Sequence, residues 1–424
     1  MLDKILNALQ KNNIGHYLIN EVTTESVELF FIRRRLDIRR EKSVHDYSLT
    51  VYRDFEKDGK KMRGSSAIGI YNGMTEEELD QAIKEAYYAA SFVCNLYYEL
   101  PKGKKEEFIP STSKLASMPL TESAMLMTEA LFAEDTKDDV YLNSAEMFLE
   151  KSVIHILNSE GIDVSYDKYT ASGEFVAQCP SPMDVETYQS FHYTEPDTTA
   201  LKEKVKYTLE TTKARAVAVA APKSGEYKVI ISGHFVSTIF DYYMDRSSAA
   251  LIYPGYSNYT KGCKVQGENV TGDLLSINLI ANEPYSTEGI KLIDRPLVTA
   301  GELNTIHGNS RFSHYLNTEP TGIYSQIKVQ GGSKSFEEMK TGKYLHVVNF
   351  SDFQMDSFSG HYGGEIRLAF LCDGETVTPV TGGSINGSIL ETHGSLTLSK
   401  ELQKEKGYEG PFAIAFEKVN VAGI

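Results

Sequence analysis

Two carboxylates, Asp241 and Asp245, stand four residues apart, a spacing that places both on one face of a helix. Such a pair can hold a hard cation or divide the roles of acid and base. It can equally be a solvated or subunit-facing helix surface, and Arg246 follows it directly with no other run of ligands nearby. His234 and His361 are the remaining candidates, each beside glycine, one after Ser232-Gly233 and one in Ser359-Gly360-His361-Tyr362-Gly363-Gly364. A turn histidine bonded to backbone is the alternative to a ligand at both positions. None of the 10 histidines is followed by Glu and no pair has HExxH spacing, which excludes a zinc peptidase of the standard kind. Nucleophilic serine chemistry is also unsupported. Gly-x-Ser-x-Gly is absent, and Ser357-Phe358-Ser359-Gly360 lacks the strand-to-helix setting of a nucleophile elbow. Gly331-Gly332-Ser333 reads as a strand-to-helix turn ahead of a Ser335/Glu338 capping box, with no phosphate cradle.

The element that must position the carboxylates is a strand, turn and helix between Ser224 and Ser247. Tyr227 to Ile231 is β-branched, Ser232-Gly233 is a turn signal, and Ile239, Phe240, Tyr243 and Met244 recur at helical spacing. Upstream, Leu2, Ile5, Leu6 and Leu9 predict a first helix that stops near Gly15. Tyr17 to Val22, Val27 to Ile38 and Tyr47 to Phe55 alternate as strands, and Asp58-Gly59 turns the chain back into Lys61 to Tyr71. Thr75 and Glu78 form a capping box for a helix reaching about Cys94. Pro101 to Pro119 is a polar connector, and a further helix begins near Thr121. Val140 to Glu150, Ser152 to Asn158, Ile162 to Thr170 and Glu174 to Ala177 return to strand alternation, and Leu201 to Thr211 is helical. Beyond it, strand signals at 274–281, 290–293, 297–299, 323–329, 344–350, 365–371 and 413–419 are separated by glycine pairs such as Gly363-Gly364. The expected fold is α+β, with an N-terminal antiparallel sheet and helices over 1–200 and a C-terminal β-rich sandwich or open barrel over 201–424.

Composition narrows the function classes. A chain of 424 residues predicts two sizeable domains, and a hydrophobic fraction of 41% with 24% charged residues is that of a soluble globular protein. A formal net charge of -15 argues against direct nucleic-acid binding, which needs clustered Lys and Arg. The exception, Arg33-Arg34-Arg35 with Arg39-Arg40, splits between the two faces of a strand and reads as a solvated edge. Cys94, Cys179, Cys263 and Cys372 form no CxxC pair, as expected of thiols in a reducing cytoplasm. With no signal core and no apolar span, the expectation is a cytoplasmic protein with no membrane partner.

Several stretches carry a family likeness in their order and spacing. They are the N-terminal helix and sheet ending in Met74-Thr75-Glu76-Glu77-Glu78-Leu79, and Ala220 to Val229 with its Pro222, Ser224, Gly225 and Tyr227. Tyr315 to Gly322 leads through Gly331 to Glu338, and Gly363-Gly364-Glu365 leads through Gly374 to Val380. Over nearly its whole length the chain resembles the TldD/PmbA family, named for modulation of DNA gyrase. The resemblance implies one of two related subunits of a heterodimeric metallopeptidase acting on small or unfolded peptides. In the TldD-type subunit a helix after a strand like Tyr227 to Ile231 carries HExxxH, with a Cys near the C-terminus as a further zinc ligand. Those positions fall on Asp241-Tyr242-Tyr243-Met244-Asp245-Arg246 and near Tyr408-Glu409-Gly410-Pro411, where there is no Cys. Arg246 places a fixed positive charge where a cation would sit. The likeness therefore implies a TldE/PmbA-type subunit with no catalytic residues, metal or cofactor of its own, and zinc only in a TldD-like partner. The degenerate positions are Asp241, Tyr242, Asp245 and Arg246. Expected partners are that subunit, or a second copy in a homodimer, and a peptide. The alternative is a divergent metallopeptidase or hydrolase in its own right, using Asp241, Asp245 and His234.

Overall fold

The computed structural model describes all residues from Met1 to Ile424. Its first half is one antiparallel sheet flanked by helices: α1 (Leu2–Lys11), β1 (His16–Ile32), β2 (Arg35–Lys57), β3 (Lys60–Tyr71), α2 (Glu76–Ala89), α3 (Leu120–Phe132), β4 (Tyr141–Asn158), β5 (Asp163–Cys179), β6 (Val185–Tyr193) and α4 (Thr198–Ala216). The spatial order is β3-β2-β1-β4-β5-β6, so β3 and β6 are the free edges. Side chains alternate across a strand, and here parity assigns each residue its layer. Ile19, Leu29, Leu49, Met147, Phe175 and Tyr193 are odd-numbered and face the helices, in cores shared with α1 and α2 or with α3 and α4. Leu18, Tyr52, Ile154, Ile156 and Tyr166 face the other way and pack with Tyr98, Leu100 and Tyr285. That second face ties the connector after α2, and a piece of the C-terminal half, to the sheet.

Three sequence expectations change here. The Arg33 run is not a continuous strand: Arg33, at φ 55°, sits in the tight turn joining β1 to β2. Each arginine is engaged locally. Arg33 lies over the Tyr141 ring, Arg34 donates to the Phe132 carbonyl, and Arg35, Arg39 and Arg40 pair with Asp37, Glu41 and Glu28. The separate strands expected between 140 and 177 are two long ones, β4 and β5, of 18 and 17 residues. Gly173 lies in the middle of β5, where a Cβ would stand 2.1 Å from the Glu146 carbonyl oxygen. A glycine there marks close packing of neighbouring strands and no break. Val185–Tyr193 is an additional strand, β6, that pairs with β5 after the turn at Pro180 to Met183.

The second half contains β7 (Gly225–Ser232), α5 (Phe235–Arg246), β8 (Ile277–Leu279), β9 (Arg295–Thr299), β10 (Glu302–Leu303), β11 (Ile327–Val329), β12 (Tyr344–Met355), β13 (His361–Cys372), β14 (Val377–Val380), β15 (Ser384–Ser388), β16 (Thr397–Leu398), β17 (Leu402–Glu405), β18 (Tyr408–Pro411) and β19 (Ala413–Ala422). Five strands close on themselves, β7-β12-β13-β15-β19 and back to β7, so the expected β-rich domain is a closed barrel. Gly363-Gly364 does not separate strands, because both residues lie inside β13 and pair with β15 and β12. Segment 290–293 forms only an isolated bridge through Lys291, and 323–326 is likewise outside any strand. The small sheet β10-β9-β8-β11-β18-β17 and helix α5 share one core of 35 buried residues with the barrel. Helix α4 follows the first sheet and buries Leu201, Val205 and Leu209 in its core, so residue 200 falls inside a helix that belongs to that layer. No helix is long and apolar enough to cross a membrane.

Candidate functional site: helix α5 and the adjoining cavity

Helix α5 is aimed by its entry turn. Strand β7 runs out at Ser232, Gly233 takes φ 73°, a left-handed conformation that glycine adopts without strain, and His234 begins the helix. Val236, Ile239, Phe240, Tyr242 and Tyr243 are buried against the barrel and the small sheet. At the far end Ser247 Oγ donates to the Tyr243 carbonyl oxygen at 2.7 Å. Buried His307 donates from Nε2 to the Met244 carbonyl oxygen at 2.8 Å. Burial holds His307 below the usual histidine range, so it caps the helix as a neutral imidazole.

The four degenerate positions have separate environments. Asp241 is accessible to solvent, yet the protein around it raises its carboxyl to about 6, chiefly by desolvation and secondly through the like charge of Asp245. Asp245 accepts a hydrogen bond from Ser357 Oγ at 2.6 Å, which ties the β12–β13 loop to the helix. Tyr242 is 2% exposed and belongs to the core. Arg246 donates to the Tyr256 carbonyl and, at 2.9 Å, to Asn258 Oδ1, with its guanidinium 5.9 Å from the Tyr242 ring and 5.6 Å from the Tyr259 ring.

These groups do not fit a zinc ion. Tetrahedral sites need three or four imidazole, thiolate or carboxylate donors converging on one point. No three His, Cys, Asp or Glu side chains converge in this way anywhere in the chain. A cation at Asp241 and Asp245 would also meet the anchored Arg246. His234 precedes Asp241 by seven residues, roughly 10 Å along the helix axis at 1.5 Å per residue, too far to share a metal with it.

The two histidine candidates line different concavities. His361 is not in a turn: it is the first, exposed residue of β13 and borders an open groove with Asp352, Asp356 and Glu365. His234 lies in a cavity of about 630 Å³ between α4 and β6 on one side and β17, β18 and the Gly233-His234 turn on the other. Burial, and secondarily the charge of Lys204, lowers His234 to about 4, so its ring is neutral at physiological pH. Gln189 Nε2 lies 3.4 Å from His234 Nδ1. Sequence reasoning missed His307, Ser357, Tyr256 and Asn258, which come from loops or distant segments with no motif. It also missed the cavity, whose walls are drawn from both halves.

Comparison with known proteins adds a family. Residues 224–423 match the PmbA/TldA metallopeptidase C-terminal domain. The chain belongs to the TldD/PmbA family. The fold agrees with TldE from Thermococcus kodakarensis at 16% identity and a TM-score of 0.77, covering 99% of this chain and 100% of that one. It agrees equally with a candidate modulator of a DNA gyrase from Thermotoga maritima, at 16% identity, TM-score 0.77 and 99% coverage of both chains. A third, from Bacteroides thetaiotaomicron and described in the same terms, matches at 16% identity and TM-score 0.76, covering 100% of this chain and 98% of that one. No curated protein matches the sequence. The TldD/PmbA match therefore covers the barrel, α5 and the small sheet by sequence, and the structural likeness extends the fold to the N-terminal sheet.

Proposed function

We propose that the chain is a non-catalytic, PmbA/TldE-like subunit of a cytoplasmic TldD/TldE-type metallopeptidase complex that processes small unfolded peptides. The observation that carries this reading is the use of helix α5. The position corresponding to the general base in HExxxH is Tyr242, sunk in the core, and the second-histidine position is Arg246, anchored to Tyr256 and Asn258. Metal-assisted peptide hydrolysis needs a polarising cation and a base within reach of its water. Neither role has a side chain here, so zinc and catalysis are assigned to a TldD-like partner. Any influence on DNA gyrase would run through proteins or peptides, because the one arginine-rich segment is neutralised by its own neighbours.

The test is a peptidase assay on unfolded casein with the purified chain, a TldD-like subunit carrying HExxxH, and the two mixed. Chelator-sensitive cleavage is expected only when the partner is present, with the mixture eluting as a complex. Chelator-sensitive cleavage by this chain alone would overturn the proposal in favour of an independent hydrolase.

A further inference from the structure

The cavity between the two halves has features of a ligand site distinct from the face of helix α5. Its volume of about 630 Å³ is in the ~300–1,000 Å³ range of small-molecule pockets. Its frame is rigid. Lys204 Nζ donates to both Glu405 oxygens at 2.6 and 2.7 Å and to the Ser190 carbonyl at 3.1 Å, fixing α4 to β17 and β6. Gln403 Nε2 donates to the Gly233 carbonyl at 2.7 Å, fixing β17 to the turn before α5. Tyr207 and Phe412, in edge-to-face contact at 5.7 Å, supply apolar wall.

Two groups in this frame have nothing to bind. Tyr193 is 5% exposed and its hydroxyl has no hydrogen-bond partner, although a buried hydroxyl left alone costs about 1–3 kcal/mol. The ionisable groups on the wall are four acids and two bases. Lys204 answers Glu405, Lys404 stands 3.9 Å from Asp197, and Lys328 holds Glu409 at 2.6 Å, which leaves Glu203 without a counter-ion. The wall thus offers one free carboxylate, one buried hydroxyl free to donate, and a neutral imidazole at His234 beside an apolar surface.

We propose that this cavity binds a primary ammonium group carried next to a carbonyl or carboxylate, the chemistry shared by a free amino acid and the N-terminus of a short peptide. Glu203 pairs with the ammonium, Tyr193 donates to the carbonyl oxygen, and Tyr207 and Phe412 receive an apolar side chain. The inference does not depend on pairing with a second subunit, and it is tested on the isolated chain.

The measurement is isothermal titration calorimetry of the full chain with L-leucine, leucyl-glycine and N-acetyl-leucyl-glycine. One-site binding is expected for at least one of the first two, and the tighter of them tells whether a free amino acid or a peptide terminus is the natural ligand. N-acetylation should abolish binding. Tyr193→Phe removes a hydroxyl that makes no contact in the fold, so the variant stays folded and should bind about 3- to 10-fold more weakly, one hydrogen bond's worth. Glu203→Gln alters an exposed side chain with no partner, and should weaken binding about tenfold or more. The proposal is overturned if neither free amine binds, if the acetylated peptide binds as well as its parent, or if both variants bind like the wild type.

Discussion

Asp241 shows how one side chain can keep the position of an active-site group while serving another end. Its carboxyl is raised to about 6 from an ordinary 3.8, so the folded state holds a proton that the unfolded chain has already released between those values. Stability from this group is therefore present below the unfolded value and is lost as pH rises through the folded one. Asp241→Asn should make the protein more stable at pH 7.5, by about 1 kcal/mol or less because the side chain is open to solvent, and should change little at pH 3.5. Urea denaturation at the two pH values checks it, and an equal effect at both would separate the raised carboxyl from stability. The pairing of Asp241 with Asp245 was legible from their spacing, since helix geometry alone fixes it. The burial of Tyr242 and the anchoring of Arg246 were not, because they depend on Tyr256, Asn258 and a barrel that the local sequence does not contain.

At the scale of elements, the first sheet carries its polar load in a cross-strand ladder. Glu21 on β1 accepts from Tyr47 on β2 at 2.8 Å and meets His45 at 2.7 Å and His155 on β4 at 3.0 Å. The other His155 nitrogen lies 2.8 Å from Asp163 at the start of β5, and Lys105 donates to the same carboxylate at 2.8 Å. Burial opposes ionisation of Glu21 and Asp163, but hydrogen bonds from these partners outweigh it together and hold both carboxyls below their usual range. A carboxyl lowered by folding contributes stability above its unfolded value and loses it as pH falls through the folded one. Glu21→Gln should cost about 1–2 kcal/mol at neutral pH, and the deficit should shrink on acidification below the carboxylate range. Thermal melts across that range test it; a deficit that does not depend on pH would mean packing, not charge, is at stake. The alternation that places these residues was readable, as were the Thr75/Glu78 and Ser335/Glu338 capping boxes, both formed. Strand limits were not. Gly173 and Gly363-Gly364 look like breaks but serve close strand packing, and the turn at Arg33 has none of the glycine or proline that usually announces one.

For the whole molecule, the decisive question is how the halves are joined, and the sequence is silent on it because the contacts span some two hundred residues. Lys204 and Glu405 are 201 positions apart, and their side chains are 13% and 14% exposed. Burial raises the Glu405 carboxyl and the Lys204 charge partly offsets it, so the pair is held together against its own desolvation cost. Other links are weaker or more open, such as Arg311 to Asn95 at 3.1 Å and Lys168 to Glu283 at 2.9 Å. Lys204→Met would leave Glu405 buried without a partner, a change that costs about 3–5 kcal/mol in comparable settings. Because that carboxyl is then raised further, the cost is full well above its folded value and disappears at acid pH, where both states are protonated. The double variant Lys204→Met/Glu405→Leu removes both charges and should recover most of the loss. Calorimetry of the three proteins at neutral pH gives the answer. If the ion pair couples the halves, the single variant should melt in two steps, with the double variant returning to one; a single cooperative transition in all three would assign the coupling to the apolar contacts around Tyr166 and Tyr285 instead.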